Sequence, residues 1–224
     1  MAGENNGLQL LDFWVSPFAQ WCRIALAEKG LAYESLPQDL SNKGDLLLRA
    51  NPIHKKIPVL LHDGRPPVCE SLIILHYLDE AFPATPPLLP SDPAARAHAR
   101  FWADYAEKKV FDCGTRLWKL NKGTAQAQAR TEMVEALRTL EDELGDKAYL
   151  AGEAFGFVDL AVVPFATWFL GYGRLAEFSV EEVCPRLLAW AKRCGERDSV
   201  AKNLYLPEKV FEFIGYLKDK YGDK

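Results

Sequence analysis

The spacing of apolar residues changes character along the chain. In the N-terminal part, short apolar runs alternate with amphipathic ones, and LQLLDFWV at 8–15 has the length and composition of a buried strand. Ser16 and Pro17 follow it as a helix cap and a first-turn proline. The pattern therefore predicts a strand, a helix ending near Gly30, and a second strand at 32–36 that runs parallel to the first.

The same part of the chain continues with shorter elements. A short helix is predicted up to Asn51, and the β-rich runs PVLLHD (58–63) and PPVCE (66–70) flank an Asp-Gly pair, which is a strong hairpin signal. Ser71 is expected to cap the helix SLIILHYLDEAF, whose apolar residues recur at helical spacing. The resulting order β-α-β-α-β-β-α predicts a thioredoxin-like α/β domain over residues 1–83.

Proline content and helical periodicity mark the rest of the chain. Residues 84–93 contain too many prolines for a regular element and are predicted to be an interdomain linker. Residues 94–224 repeat apolar positions at helical spacing, which predicts an all-α domain, a helical bundle. The predicted helices are 94–120, 125–144, 157–171, 181–196 and 207–221.

Composition excludes several classes of protein. The chain has 224 residues, and 49% of them are hydrophobic, which is enough for a substantial core. Its 27 lysines and arginines stand against 31 aspartates and glutamates, with no basic run, so a nucleic-acid partner is not expected. The longest apolar run, at 157–172, is short for a bilayer and contains Asp159 and Pro164. Membrane insertion is therefore not expected.

The cysteine pattern and the N-terminal sequence bear on location. The five cysteines form no C-x-x-C pair, and no histidine stands at metal-ligand spacing, so neither a disulfide framework nor a metal site is predicted. Core packing is the favoured role of all five thiols. The start MAGENNG lacks the basic and apolar regions of a secretory signal, and a cytoplasmic location is expected.

A thioredoxin-like layout places its reactive group where the first strand meets the first helix. A thiol redox enzyme would carry a nucleophilic cysteine there, activated by the positive end of the helix. Ser16 and Ala19 occupy those positions, and Cys22 lies nearly two turns into the helix, so disulfide exchange is disfavoured. Ser16 is then either a plain helix cap or a hydrogen-bond donor to an anion that a ligand brings.

A ligand thiol is an anion source that such a site can activate. Free thiols ionise near pH about 8.5, and a helix N-terminus with hydrogen-bond donors can bring that pKa below about 7. Ile57-Pro58, at the start of an opposite strand, is where thioredoxin-like domains carry a cis proline that turns backbone groups toward an extended ligand. An ordinary trans proline at a strand start is the alternative for this dipeptide.

Charged groups near these segments suit the two ends of a peptide. Glu70 and Ser71 place a carboxylate and a hydroxyl at a second helix start, where they can take an α-amino and an α-carboxylate group. Lys43, Lys55 and Lys56 add positive charge, although lysines in loops are commonly just solvated. These residues together favour a thiol-containing peptide as the ligand.

Four stretches of the sequence resemble the glutathione transferases, specifically the plant tau class. They are LLDFWVSPFAQWCRIALAEKGLAYE, NPIHKKIPVLLHDGRPPVCESLIILHYLDE, PLLPSDPAARAHARFWADY and GFVDLAVVPFATWF, and together they follow the family over nearly the whole chain. The resemblance implies a detoxifying enzyme that adds the thiol of glutathione, a co-substrate rather than a cofactor, to hydrophobic electrophiles. It also implies glutathione-dependent reduction of hydroperoxides, and a homodimer.

The resemblance implies a role for each residue of the glutathione site. Ser16 would stabilise the glutathione thiolate, so that the helix cap would also hold an anion. Lysines would contact the glycyl carboxylate, and Lys55 could exchange roles with Lys56. The implied glutathione-binding residues are Lys43, Lys56, Ile57, Pro58, Glu70 and Ser71.

The electrophile site implied by the resemblance is apolar and lies between the domains. Ordinary core packing is the alternative for each candidate residue, because aromatic residues at helical spacing commonly pack together. Members of the class commonly present Tyr and Arg at the positions of Phe111 and Thr115, so a less polar pocket is expected here. The candidates are Phe18, Phe111, Thr115, Trp118, Trp168, Phe213 and Leu217.

A ligand carrier is the competing function. A protein of the same fold can store hydrophobic metabolites or glutathione conjugates without turning them over, and the fold does not separate these functions. Ser16 favours catalysis, because a carrier has no need of a hydroxyl that stabilises a thiolate. A glutathione-dependent thiol oxidoreductase would need a cysteine at position 16, where the sequence has none.

Overall fold

The chain folds into two compact units. The computed structural model describes residues 7–223, and the first unit ends at Pro90 while the second begins at Ser91. The first six residues of the polar start MAGENNG and Lys224 lie outside the described residues. No helix in the described part of the chain is long and apolar enough to cross a membrane.

The first unit follows the predicted order β-α-β-α-β-β-α. Its elements are β1 (Leu8–Asp12), α1 (Pro17–Glu28), β2 (Glu34–Pro37), α2 (Asp45–Ala50), β3 (Val59–His62), β4 (Val68–Cys69) and α3 (Ser71–Ala81). The strands form one sheet in the order β2-β1-β3-β4, in which β1 is parallel to β2 and β3 is antiparallel to both of its neighbours. The predicted thioredoxin-like fold is confirmed.

The register of this sheet brings several chain segments to one edge. Leu11 of β1 pairs with Leu36 of β2 and with Val59 of β3, and Val59 pairs in turn with Cys69 of β4. β1, β2 and β4 all end at or just beyond this row, and β3 begins on it. The segments that lead from β1 to α1, from β2 to α2, into β3, and from β4 to α3 therefore all lie at the same edge of the sheet.

Two boundaries in the first unit differ from the prediction. β1 stops at Asp12, and residues 13–15 form a turn instead of the end of the strand. Ser71 is not the cap of α3 but its first residue, and Glu70 occupies the cap position with a φ of 69°. Because β4 passes into α3 within one residue, Glu70 alone makes the change of direction, and it does so in a left-handed conformation that is uncommon outside glycine.

The proline-rich segment is fixed to the first unit through one carboxylate. Asp79, near the end of α3, accepts hydrogen bonds from the backbone N–H groups of Leu88 (2.9 Å) and Leu89 (2.9 Å). Lys29, buried just after α1, donates to Asp79 (2.8 Å) and to the carbonyl of Pro86 (3.1 Å). The segment has no helix or strand of its own, but its position on α1 and α3 is specified.

The second unit is built from helices, as predicted. Its elements are α4 (Pro93–Tyr105), a π-helical segment (Ala106–Phe111), α5 (Asp112–Lys119), α6 (Thr124–Leu144), α7 (Phe157–Ala166), α8 (Phe169–Ala176), α9 (Val180–Val183), α10 (Pro185–Gly195), α11 (Asp198–Ala201) and α12 (Pro207–Tyr221). The helix predicted at 94–120 is thus continuous but contains a wider π turn in its middle. α11 was not predicted, because four residues are too few to show a helical period.

Two of the predicted helices are each divided. The helix predicted at 157–171 is α7 followed by α8, and the break lies at Thr167 and Trp168, where the N–H of Trp168 bonds the carbonyl three residues back instead of four. The helix predicted at 181–196 breaks at Cys184, because the residue before a proline is disfavoured in the helical conformation.

A buried carboxylate joins α7, α10 and the loop that precedes α7. Asp159 is fully buried and accepts hydrogen bonds from the N–H groups of Leu150 (2.7 Å), Ala151 (3.1 Å) and Gly156 (3.0 Å), and from the indole N–H of Trp190 (2.7 Å). Burial raises the pKa of this carboxyl, and the hydrogen bonds act in the opposite direction. One side chain thereby satisfies three N–H groups of the loop and the indole of a neighbouring helix.

Asp159→Asn tests this arrangement. The amide keeps the size of the side chain but turns an NH2 group toward buried donors, so we expect the free energy of unfolding to fall by about 3 kcal/mol, measured by urea denaturation followed by circular dichroism. Asp142→Asn, at an exposed position of α6, is the matched control and should stay within about 0.5 kcal/mol of the parent. Equal stability of Asp159→Asn and the parent would contradict the structural role.

Candidate active site

Ser16 lies at the end of the turn that leads from β1 into α1. Its side-chain oxygen accepts a hydrogen bond from the N–H of Ala19 (3.3 Å), so Ser16 is the N-cap of α1, and Pro17 is the first helical residue. The side chain is half-buried, and accepting this bond leaves the hydroxyl proton available. Ser16 can therefore cap the helix and donate a hydrogen bond to a ligand anion at the same time.

A buried ion pair fixes the turn that carries Ser16. Asp12, at the end of β1, accepts two hydrogen bonds from Nη1 of Arg23 in α1 (2.8 and 2.7 Å), and both residues are buried. Nη2 of Arg23 donates to the carbonyl of Trp14 (2.8 Å), and the N–H of Ser16 donates to the carbonyl of Phe13 (3.0 Å). This pair was not predicted, and its signal in the sequence is a charged residue in the middle of a largely apolar helix.

Asn51 organises the segment that leads into β3. Its side chain is buried, its Nδ2 donates to the carbonyl of Lys56 (3.0 Å), and its Oδ1 accepts from the N–H of His54 (3.1 Å). Lys55 donates its N–H to the carbonyl of Asn51 (2.8 Å) and has a positive φ of 53°. The sequence pattern indicated Asn51 only as the end of a helix. In the structure its side chain holds the backbone of the segment that carries Lys55 and Lys56.

Ile57 and Pro58 are joined by a cis peptide bond, as predicted. Pro58 is buried, and Ile57 packs against the apolar cluster that includes Leu11 and Val59. Since Val59 pairs with Leu11 at the row where β1 ends, the backbone of Ile57 lies at the same sheet edge as the turn that carries Ser16.

Glu70 and Ser71 lie where β4 passes into α3. Glu70 is about half exposed, and its Oε1 is 3.9 Å from Nε2 of His54. Ser71 is buried at the first position of the helix. Because Cys69 pairs with Val59, this helix start is also on the shared edge. Backbone conformations as uncommon as that of Glu70 cluster at ligand-binding sites, where the surrounding structure holds them in place.

The shared edge is electropositive. The N-terminal ends of α1 and α3 both lie on it, and a helix N-terminus carries partial positive charge and unbonded N–H groups. Lys43 follows β2 on the same edge and is exposed, as are Lys55 and Lys56. An extended anionic ligand laid across this edge would meet a hydroxyl donor, the backbone before a strand, a carboxylate and several lysines.

The thiols of the protein are poorly suited to act as nucleophiles. Burial raises the pKa of Cys184 to about 12 and also raises the pKa values of Cys22, Cys69, Cys113 and Cys194. Thiolate chemistry at the shared edge therefore needs a thiol that the ligand brings. Within residues 7–223, no group of histidine, cysteine or acidic side chains is arranged to hold a metal ion.

The residues predicted for the electrophile site belong to both units. Phe18 lies on α1 in the first unit, is half-buried, and has its ring 5.2 Å from that of Trp21. Phe111 ends the π-helical segment of the second unit, is exposed, and has its ring 6.4 Å from that of Phe165. Both rings are accessible and partly held by another aromatic side chain.

The remaining candidates lie on or beside three helices that pack together, namely α5, α8 and α12. Thr115 and Trp118 are half-buried on α5, and Leu217 is half-buried on α12. Trp168, at the break before α8, is buried and packs edge-on against Phe213 of α12 (6.3 Å). The structure thus places these five residues in one helical group.

Glycine permits the close packing of this helical group. Gly114 of α5 lies against the ring of Tyr172, and Gly171 of α8 lies against the side chain of Ile214 in α12. A Cβ atom at either glycine would overlap the neighbouring side chain, so a larger residue would push the helices apart.

Comparisons with known proteins identify the family to which the two units belong. The family profile described as "Glutathione S-transferase, N-terminal domain" matches residues 10–86, and the profile described as "Glutathione S-transferase, C-terminal domain" matches residues 123–193. The thioredoxin-like unit and the helical unit thus match in order, and they define a glutathione transferase.

Full-length relatives identify the class within that family. "Probable glutathione S-transferase GSTU1" of Oryza sativa subsp. japonica is 62% identical, over 98% of this chain and 98% of its own. A crystal structure of rice GST1 (OsGSTU1) in complex with glutathione has a TM-score of 0.93 and 60% identity, and covers 99% of this chain and 100% of that one. The tau-class enzyme MiGSTU of Mangifera indica has a TM-score of 0.88 and 37% identity, over 95% and 99% of the two chains. The chain belongs to the plant tau class of glutathione S-transferases.

Asn51→Ala tests the support of the lysine segment. Loss of the hydrogen bonds to His54 and Lys56 should loosen the segment, so we expect the KM for glutathione to rise about tenfold while kcat changes by less than about twofold. Asn203→Ala, which removes a comparable bond to the carbonyl of Ser199 (2.7 Å) in the second unit, is the control and should leave both constants unchanged. An unchanged KM for glutathione in Asn51→Ala would refute this positioning role.

Proposed function

We propose that the protein joins the thiol of reduced glutathione to hydrophobic electrophiles at the sheet edge that carries Ser16, in the service of detoxification. The observation that carries the proposal is the Ser16 hydroxyl, which caps α1 and keeps its proton for a ligand. The rice relative crystallised with glutathione, at 60% identity, supports the choice of ligand.

In this proposal glutathione lies extended along the shared edge. Lys43 and Lys56 bind the glycyl carboxylate as point charges, and the backbone of Ile57 pairs with the cysteinyl unit. Glu70 takes the α-amino group, and Ser71, at the start of α3, takes the α-carboxylate of the γ-glutamyl end. The direction of the peptide is thus set by the difference between its ends, because only the γ-glutamyl end carries an ammonium group beside its carboxylate.

Ionisation of the glutathione thiol is the step that Ser16 assists. The thiol gives its proton to solvent, and the thiolate accepts a hydrogen bond from the Ser16 hydroxyl at the positive end of α1. Each unit by which the thiol pKa falls corresponds to about 1.4 kcal/mol of preference for the thiolate. The thiolate then attacks an electrophilic carbon; a halide leaves, or an activated alkene takes up a proton. Holding the two reactants side by side supplies the rest of the rate enhancement.

The electrophile is held by the helical group of α5, α8 and α12. Neither Thr115 of this group nor Phe111, at the end of the π-helical segment, carries a charge, which supports a preference for apolar electrophiles. The same thiolate can reduce an organic hydroperoxide by attacking its outer oxygen, so that an alcohol leaves. A second glutathione then displaces water from the resulting sulfenic acid and forms glutathione disulfide.

Ser16→Ala tests the proposed role of the hydroxyl. In an ultraviolet difference titration, glutathione bound to the parent should ionise at least one unit below its free value of about 8.5. The variant should lose this shift, and its kcat/KM for conjugation of a model aryl halide should fall about 100-fold. The assays should be run well below the unfolding temperature of the variant, because loss of a helix cap alone lowers the free energy of unfolding by about 1 kcal/mol.

Ser179→Ala separates catalysis from capping. Ser179 caps α9 by accepting from the N–H of Glu182 at 3.3 Å, the same distance as at Ser16, so its variant should keep the thiol pKa and the activity. If glutathione binds the parent with an unshifted thiol, or Ser16→Ala behaves like the parent, Ser16 is only a cap. A non-catalytic carrier of hydrophobic ligands or glutathione conjugates then accounts better for the same site.

We also propose that the chain forms a homodimer, which the family resemblance implies. Exposed apolar side chains support a protein contact. Phe101 of α4 is 59% exposed although its ring contacts those of Trp102 (5.2 Å) and Tyr105 (6.5 Å), and Ile53 is 83% exposed. Aromatic residues are enriched in the cores of protein interfaces.

Phe101→Ser tests the contact. We expect its mass by light scattering at micromolar concentration to shift from that of a dimer toward that of a monomer, because the largest exposed ring of α4 is removed. Leu206→Ser, at a 66% exposed position before α12, is the control and should stay dimeric. A monomeric parent would refute the dimer, and a dimeric Phe101→Ser would refute the contact.

A further inference from the structure

We propose that the second unit has a separate binding site for amphipathic organic cations, in a cavity of about 630 Å³ bordered by α8, α9 and the beginnings of α10 and α12. The expected ligand is an aromatic or aliphatic body that carries one protonated amine. This site is independent of the proposed transferase chemistry.

The cavity has the size and floor of a small-molecule site. Ligand pockets commonly enclose about 300–1,000 Å³ and are lined mainly by apolar side chains. Here the apolar lining comes from three parts of the chain, with Leu170 on α8, Phe178 and Val180 around the start of α9, and Leu188 on α10. A flat ring system would bury its faces against these side chains.

The charged side chains around the cavity are mostly acidic. Glu177, Glu181 and Glu182 line it, and Arg174 is the one cationic side chain in the lining. The guanidinium of Arg174 is stacked over the ring of Phe211, 4.9 Å from its centroid. The local potential should therefore be negative and favour a cationic ligand over an anionic one.

Two of the three carboxylates are free to take a new partner. Glu177 already pairs with Lys122 (2.6 Å), whose hydrogen bond holds the pKa of Glu177 below its ordinary range. Glu181 and Glu182 are exposed on α9, and among residues 7–223 neither side chain forms an ion pair. An ammonium group at the mouth of the cavity would supply the missing opposite charge.

The end of α8 adds to the same field. Gly173 and Arg174 of its last turn line the cavity together with Glu177, which ends the helix in the left-handed conformation. The C-terminal end of a helix carries partial negative charge on its carbonyl groups, which favours a nearby cation. The starts of α9 and α12, at Val180 and Pro207, also border the cavity and carry partial positive charge, so the preferred sign of the ligand is set by the acidic side chains.

The cavity shares no residue with the proposed catalytic site. Its lining contains neither the glutathione-binding residues of the first unit nor the electrophile candidates on α5 and α12. Trp168 is the nearest of these in sequence, and its neighbour Phe169 contributes to the cavity. Binding can therefore be measured while the catalytic site is occupied by another ligand.

The test uses three matched fluorescent probes on the full chain, with saturating S-hexylglutathione present to occupy the transferase site. The probes are 1-pyrenemethylamine (a cation at neutral pH), 1-pyrenemethanol and 1-pyrenecarboxylate, which share one ring system and differ in charge. We expect saturable binding of one cation per chain, about tenfold tighter than the alcohol, and tighter still than the carboxylate. Added salt should weaken the binding of the cationic probe but not that of the alcohol.

Variants localise the binding. The double substitution Glu181→Gln with Glu182→Gln should lower the affinity for the cationic probe about tenfold and leave the affinity for the alcohol unchanged. Glu153→Gln, at an exposed position outside the cavity, is the control for the loss of a surface carboxylate. Leu170→Trp should fill the cavity and weaken all three probes. Three results would each overturn the proposal. They are equal affinity of the parent for the cation and the alcohol, binding of the cation to the double variant as tightly as to Glu153→Gln, and unaltered binding of the probes to Leu170→Trp.

Discussion

The buried pair of Asp12 and Arg23 is the interaction on which the site depends. It ties the end of β1 to the first helix, and its second guanidinium nitrogen also holds the carbonyl of Trp14. Ser16 lies at the end of this braced turn, so its hydroxyl is presented by a strand, a turn and a helix that cannot move independently. Breaking a buried pair by removing one partner commonly costs about 3–5 kcal/mol, since the other charge is left buried alone.

Parallel and antiparallel pairing together create the ligand edge. Because β1, β2 and β4 point one way and β3 the other, three strands end and one begins at the row through Leu11 and Val59. Polar residues that are distant in sequence are thereby brought to the same edge without a long loop. The helix ends and the lysines contribute positive charge to this edge, and in the proposed mode of binding Glu70 supplies a negative group that orients an extended peptide with charges of both signs.

Carboxylates have opposite uses in the two parts of the helical unit. Asp159 is buried, and every hydrogen bond it accepts fixes a loop or a neighbouring helix. Glu181 and Glu182 remain exposed beside an apolar cavity and contribute nothing comparable to packing. The first arrangement stabilises the fold, and the second leaves negative charge for a ligand, because the solvent-exposed groups incur no burial penalty that a partner must offset.

The sequence by itself determined the order of elements, the thioredoxin-like class and the cap at Ser16, because strand and helix periods and caps are local signals. The cis bond before Pro58 was expected only from the thioredoxin-like layout, since a trans proline at a strand start was the alternative for the dipeptide alone. It also predicted the helical character of the second unit, although the breaks at Thr167 and Cys184 were missed. Only the tertiary structure decided that Arg23 pairs with Asp12, that Asn51 supports the lysine segment, and that a cavity remains beside α8. Those features depend on which distant side chains meet when the elements pack, and no local pattern records that.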